Sequence, residues 1–240
     1  MERIINMLRE FFAELRNDSC VYPEMQTVRR ELDRQLASIA RCPALSSSVF
    51  RKHAVMRLRD ERDRLEQLGA CRLIFDSTET WRTVYEEILN ACKAKRYFSV
   101  AVVRSDDYWR DKPGERSLEF NFQLVNHGFH VHRIFVIDDF FWPPAARTPS
   151  TILFHWIHSQ RLRGIEVSMV RISELEHEPT LARDMGIYGT DAVGYQQTDF
   201  EGRTIRFEAT FDAADMKDAE QRWEQLLLYA KPYDDVVVVN

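Results

Sequence analysis

The stretch "GFHVHRIFVIDD", residues 128–139, sets His130 and His132 one residue apart and closes on Asp138 and Asp139. Neutral imidazole is both a general acid–base group and a common nitrogen ligand of transition metals. On a strand, alternate residues share a face. His130, His132, Ile134 and Val136 therefore point one way, and Phe129, Val131, Arg133, Phe135 and Ile137 the other. Two histidines on one face can chelate an ion, but a site needs further ligands, and no partner stands at a fixed spacing. His155 and His158 lie three apart on the next helical segment and would join only if that helix covers the same face. The expectation is that these histidines are satisfied by hydrogen bonds at the edge of a core and that no metal or other cofactor is held. His130 and His132 form the metal-binding alternative.

A second set of polar residues follows the apolar runs. Asp76, then Arg104-Ser105-Asp106-Asp107, then Asp138-Asp139, and then Arg171 each stand where a strand should end. Open parallel sheets bind ligands beyond the carboxyl ends of their strands. A small polar ligand is therefore expected at Arg104, Asp106, Asp107, Asp138 and Arg171, rimmed by Tyr108, Trp109, Phe140, Phe141 and Trp142. The competing readings are local. Asp76 with Glu79 has the spacing of a capping box, Asp106 or Asp107 suits a surface turn, and "DDFFWPP" is an apolar loop fit for a protein contact.

The elements that must position these residues fall into two regions. Residues 1–69 read as helical, with Ile4, Ile5, Leu8, Phe11, Phe12 and Leu15 forming an apolar stripe. Pro23 can open a second helix through Val28, Leu32, Leu36 and Ile39, and "LSSS" offers N-caps for a third, closed by Gly69. In that third helix Leu58, Leu65 and Leu68 form a narrow seam among paired charges. This extension is expected to serve dimerisation or signalling, or to cap the main domain. Residues 70–240 alternate strand and helix: "CRLIFD", "YFSVAVVR", "FHVHRIFVID" and "IEVSMVR" are the strands. Shorter, antiparallel strands follow residue 183, and "DMKDAEQRWEQLLLYAK" is a last amphipathic helix. The expected class is α/β, a mostly parallel mixed sheet covered by helices on both faces, with an N-terminal helical extension.

The chain of 240 residues is 45% hydrophobic and carries a net charge of −5, so nothing in the balance asks for nucleic acid. Cys20, Cys42, Cys71 and Cys92 are widely spaced and read as buried free thiols of a reducing compartment. The charged N-terminus fits neither a signal peptide nor a membrane span, and no other run is long and apolar enough for one. A cytoplasmic protein with no membrane and no nucleic-acid partner is expected. There is no G-x-G-x-x-G, P-loop or G-x-S-x-G, and eight glycines leave little from which to build a phosphate-cradling loop.

The order of segments resembles the phospholipase D-like superfamily, whose domains repeat a helix, a small-residue turn and a G-[V/I]-x-V strand. Here "NHGFHVHRIFVID" and "LRGIEVSMVR" play that part. "ARDMGIYGTDAVGYQ", then "TIRFEATFD" with Glu208, then "AEQRWEQLLLYA" with Trp223 follow as in the family, so the resemblance covers roughly residues 70–230. It implies a phospholipase D-like fold. The family's chemistry rests on H-x-K-x4-D, a histidine nucleophile with lysines on the phosphate. At that place this chain reads Leu181-Ala182-Arg183-Asp184-Met185, Asp191 alone could match the aspartate, and H-x-K occurs nowhere. The reading is a non-catalytic sensory, regulatory or protein-interaction module, binding a small polar ligand or a protein partner at the strand ends and forming a homodimer or other homo-oligomer. The alternatives are a metal-assisted phosphoester hydrolase or nuclease using His130 and His132 with nearby aspartates, and a structural subunit of a larger complex that buries the loop 140–144 and the helix at 1–17.

Overall fold

The computed structural model describes residues 23–105, 112–199 and 203–237. The expected helix at 4–15, Cys20, and the candidate residues Asp106, Asp107, Tyr108 and Trp109 lie outside them. Contacts separate the chain into Met1–Gly69 and Ala70–Asn240. In the first unit, helix α1 (Pro23–Ala40) and helix α2 (Ser48–Gly69) are joined by a 3-10 turn, Pro43–Ser46. Leu36 is buried, with Leu32, Leu58 and Leu65 packed on it. Leu68 of the expected seam is exposed instead.

The second unit is built on one eight-stranded sheet. Its strands are β1 (Arg72–Asp76), β2 (Arg96–Val103), β3 (His130–Ile137), β4 (Glu166–Arg171), β5 (Met185–Tyr188), β6 (Ala192–Thr198), β7 (Thr204–Thr210) and β8 (Lys231–Pro232). They lie in the order β1-β7-β6-β5-β2-β3-β4-β8. The main helices are α3 (Trp81–Ala91), α4 (Lys112–Asn126), α5 (Thr151–Leu162) and α6 (Ala213–Leu227).

The expected mixed α/β sheet flanked by helices is present, but its balance differs. Only β2–β3 and β3–β4 run parallel, and the other five neighbouring pairs are antiparallel. The correction falls on "CRLIFD". It pairs antiparallel with β7 at the far edge, Arg72 opposite Thr210, instead of opening the parallel series. An apolar run fixes that a segment is a strand, but its direction depends on which sheet edge is free to accept it. The antiparallel strands after residue 183 are as expected.

The parallel strands are buried on both sides, which is why β2 and β3 read as near-continuous apolar runs. Gly128 and Gly164, at φ 83° and 89°, end α4 and α5 in the left-handed conformation and turn the chain into β3 and β4. One face of the sheet lies under α3, α4 and α5, with Trp81, Tyr85, Phe122, Phe135 and Ile157 at its centre. The other lies under α6 and the short turns before β5, where Ile134, Val136, Leu175, Ile187 and Trp223 pack. Each fully buried apolar side chain contributes about 1.5–3 kcal/mol.

Candidate functional site

The alternation of β3 places its histidines as expected: His132 contacts Trp223 and Phe98 on the α6 face. Helix α5 covers the opposite face. His158 there stacks on Phe154 and meets the Tyr233 hydroxyl through Nδ1 at 2.7 Å. The four histidines therefore do not converge. His130 and His132 instead meet Glu166, at the start of β4. His130 Nε2 is 2.6 Å from Glu166 Oε2, and His132 Nδ1 is 3.7 Å from Oε1. Burial lowers the His132 pKa, an effect reinforced by His130 and opposed by Glu166, so the ring is held neutral. The partner is a glutamate, not one of the nearby aspartates.

Of the strand-end residues, Arg104, Asp138 and Arg171 are described and stand at the ends of neighbouring strands. Val103 and Ile137 are partners, as are Ile137 and Arg171, so Arg171 is level with the last residues of β2 and β3, and Arg104 and Asp138 follow one residue later. Their groups are engaged with the chain. Arg171 lies over the Trp142 ring at 4.0 Å and donates to the carbonyls of Trp142, 3.1 Å, and Ala146, 2.8 Å. Asp138 Oδ1 accepts from the Phe140 N–H, and Asp139 Oδ1 from Ser173. These contacts fold the loop 138–150 down onto the sheet. Arg104 is exposed. The capping box at Asp76 does not form: Asp76 accepts from Arg206, and Glu79 from Arg82. Of the described cysteines only Cys92 is buried, and Cys42, Cys71 and Cys92 are all free thiols.

A different group of polar residues lies beneath α3. Trp81, Tyr85, Tyr97, Ser99, Arg133, Trp156, Asp184, Tyr188 and Gln196 line a chamber in which the centre of a water-sized sphere has about 30 Å³ to move. That is space for about two waters or one carboxylate-sized group. The Arg133 guanidinium is almost wholly buried, donating to Ser99 Oγ at 3.0 Å and Gln160 Oε1 at 2.5 Å. The Trp81 ring is stacked on Phe207 with centroids 4.5 Å apart and is only 1% exposed, yet its indole N–H has no hydrogen-bond partner. Unsatisfied buried donors cost about 1–3 kcal/mol each, so native structures keep few of them.

Three tyrosines close the chamber, Tyr85, Tyr97 and Tyr188, with ring centroids 5.6–5.8 Å apart. Burial, reinforced by their neighbours, pushes the Tyr85 and Tyr188 phenols well above their ordinary pKa, so both remain neutral. Tyr85 donates to the Asn121 carboxamide oxygen. Asp184 is the one carboxylate among the lining residues, and its Oδ1 accepts the Val102 N–H at 2.9 Å.

Two glycines opposite each other on β5 and β6 make the room. A Cβ at Gly186 would come within 2.8 Å of the Tyr188 ring, and one at Gly194 within 2.2 Å of its hydroxyl. The sequence offered one signal for this site: Arg133 stands in the apolar phase of β3. Trp81 and Asp184 gave none, because they reach the chamber from elements far apart in the chain.

No protein-family model matches the chain, and no curated protein matches it in sequence. Solved structures do resemble it. Nuc of Salmonella typhimurium, a phospholipase D family member, is 9% identical with a TM-score of 0.47, over 68% of this chain and 97% of Nuc. NucT from Helicobacter pylori is 11% identical with a TM-score of 0.45, over 68% of this chain and 98% of NucT. TrmBL2, an archaeal chromatin protein with a novel mode of DNA binding, is 9% identical with a TM-score of 0.40, over 86% of this chain and 67% of TrmBL2. Among the described residues no helix is long and apolar enough to cross a membrane.

Proposed function

We propose that the α/β unit is a non-catalytic binding module and that its ligand is a small molecule bearing a carboxylate or similar oxyanion, held in the chamber beneath α3. The observation that carries this reading is the Trp81 indole N–H, buried and without a partner, on a side chain that lines the same cavity as Arg133. The lining sets the unpartnered indole N–H and the positive charge of Arg133 against a single carboxylate, so it suits a ligand that accepts hydrogen bonds. The strand-end edge is less suited to the task, since Arg171 spends its donors on loop carbonyls. The helical unit would face a protein partner or a second copy, a role supported by the exposed Val49, Phe50 and Met56.

The test is native mass spectrometry of the freshly purified protein, followed by thermal shift against formate, acetate, nitrate and inorganic phosphate. We expect either a co-purified mass or a stabilising anion, with affinity at least about tenfold weaker in Trp81→Phe, which keeps an aromatic ring at the position and removes the N–H. A bare mass with no stabilising anion would leave the chamber to ordered water and overturn the proposal. Turnover of a chromogenic phosphodiester that is lost in His130→Ala/His132→Ala would overturn the non-catalytic part.

A further inference from the structure

On the opposite face of the sheet, three side chains converge that the chamber does not use. We propose that His130, His132 and Glu166 form a binding site for a divalent transition-metal ion of the zinc type. One ligand atom from each residue can be chosen so that all lie within 4.8 Å of one another. The sheet produces this convergence: His132 is the register partner of Glu166 across β3 and β4, and His130 stands two residues earlier on the same face. The Glu166 carboxylate already spans the two rings, one oxygen 2.6 Å from His130 Nε2 and the other 3.7 Å from His132 Nδ1. An ion with bonds of about 2.0–2.2 Å needs only small rotations of His130 and Glu166, and both are more than half exposed and free to make them.

The remaining contacts support a ligand role. His132 Nε2 lies 3.0 Å from Ser168 Oγ, which leaves Nδ1 for the ion and fixes the ring from behind, as second-sphere partners of metal-bound histidines do. The His132 ring is also held edge-on against Trp223 at 5.0 Å, and the His130 ring against Phe98 at 5.3 Å. Arg96 stands opposite His130 in the sheet register, but its guanidinium is bound to Glu220 and to the Gly189 carbonyl, so its charge is compensated. Two imidazoles and one carboxylate favour zinc and its neighbours over magnesium or calcium, which demand oxygen. Three protein ligands leave a position open for water or for a donor brought by a partner.

The experiment is calorimetric titration of zinc chloride into the chelator-stripped full chain. The expected result is one equivalent bound at micromolar affinity or tighter, unaffected by excess magnesium. Glu166→Gln and His130→Ala, both at exposed positions and checked for folding by circular dichroism, should each weaken binding by about 100-fold. Ser168→Ala should weaken it by about 10-fold, and His158→Ala, on the other face, should leave it unchanged. The proposal is overturned if the wild-type chain takes up no zinc at micromolar concentration, or if uptake survives Glu166→Gln undiminished.

Discussion

The two faces of the central sheet are built from alternate residues of the same strands, yet they treat polar groups in opposite ways. Arg133 and His132 are neighbours on β3. Arg133 is enclosed under three helices, with its donors spent on Ser99 and Gln160. His132 sits at the border of a face covered by one helix, beside the exposed His130 and Glu166. What differs is the cover, because the strand supplies both residues with the same backbone. A polar group under a complete cover must be satisfied within the protein or by a resident ligand. One at the border can exchange its partner for an ion or water. The first arrangement suits a resident ligand and the second an exchanging one.

This contrast predicts a ranking of substitutions. The largest effect should come from Trp81→Ala, which empties the stack on Phe207 and should cost about 3–5 kcal/mol in urea unfolding. Trp81→Phe should cost less than about 1.5 kcal/mol. Equal losses for the two would mean that the indole N–H is satisfied, and the chamber would lose its main distinguishing feature.

Gly194→Ala should follow, at about 1–3 kcal/mol, since its Cβ would overlap the Tyr188 hydroxyl and the Phe207 ring. Tyr188→Phe in the same chain should restore part of that loss, and a thermodynamic cycle would measure how much. On the other face, His132→Ala should cost about 1–2 kcal/mol through its lost aromatic contacts, and His130→Ala less than about 0.5 kcal/mol. Similar values for the two histidines would erase the distinction between covered and border positions.

The smallest effect concerns acid. Burial works to raise the Glu174 pKa, but hydrogen bonds from Lys231 and the Arg171 N–H, with the charges of both residues, outweigh it and leave the pKa below the usual carboxylate value. A carboxylate depressed on folding adds stability that is complete above its unfolded pKa and is lost as pH falls through the folded value. Glu174→Gln should therefore lower stability slightly at neutral pH, and the difference should vanish in acid-titrated thermal melts below the folded value.

Much of the fold was legible because its signals are local. Alternation in "FHVHRIFVID" divided its residues correctly between the two faces, and the apolar runs located β1 to β4. Pro23 and Gly69 marked helix ends at the right places. The described strand-end candidates Arg104, Asp138 and Arg171 also stand at neighbouring strand ends, since β2, β3 and β4 run parallel. The site itself was less legible. Arg133 stood in phase with apolar neighbours, a true signal that nothing nearby could interpret. Glu166 carried no signal, being one more acidic residue after a glycine turn, 36 positions from His130.

Periodicity and turn residues thus settled which segments are strands and helices and which residues share a side. They act within a few residues, where sterics and side-chain alternation leave few choices. Tertiary structure decided which strands are neighbours, that β1 closes the far edge antiparallel, and which face each helix covers. Those outcomes follow from sheet register and packing between distant segments. A single backbone pairing sets His132 beside Glu166, and one helix placement brings Trp81 to the same cavity as the buried Arg133.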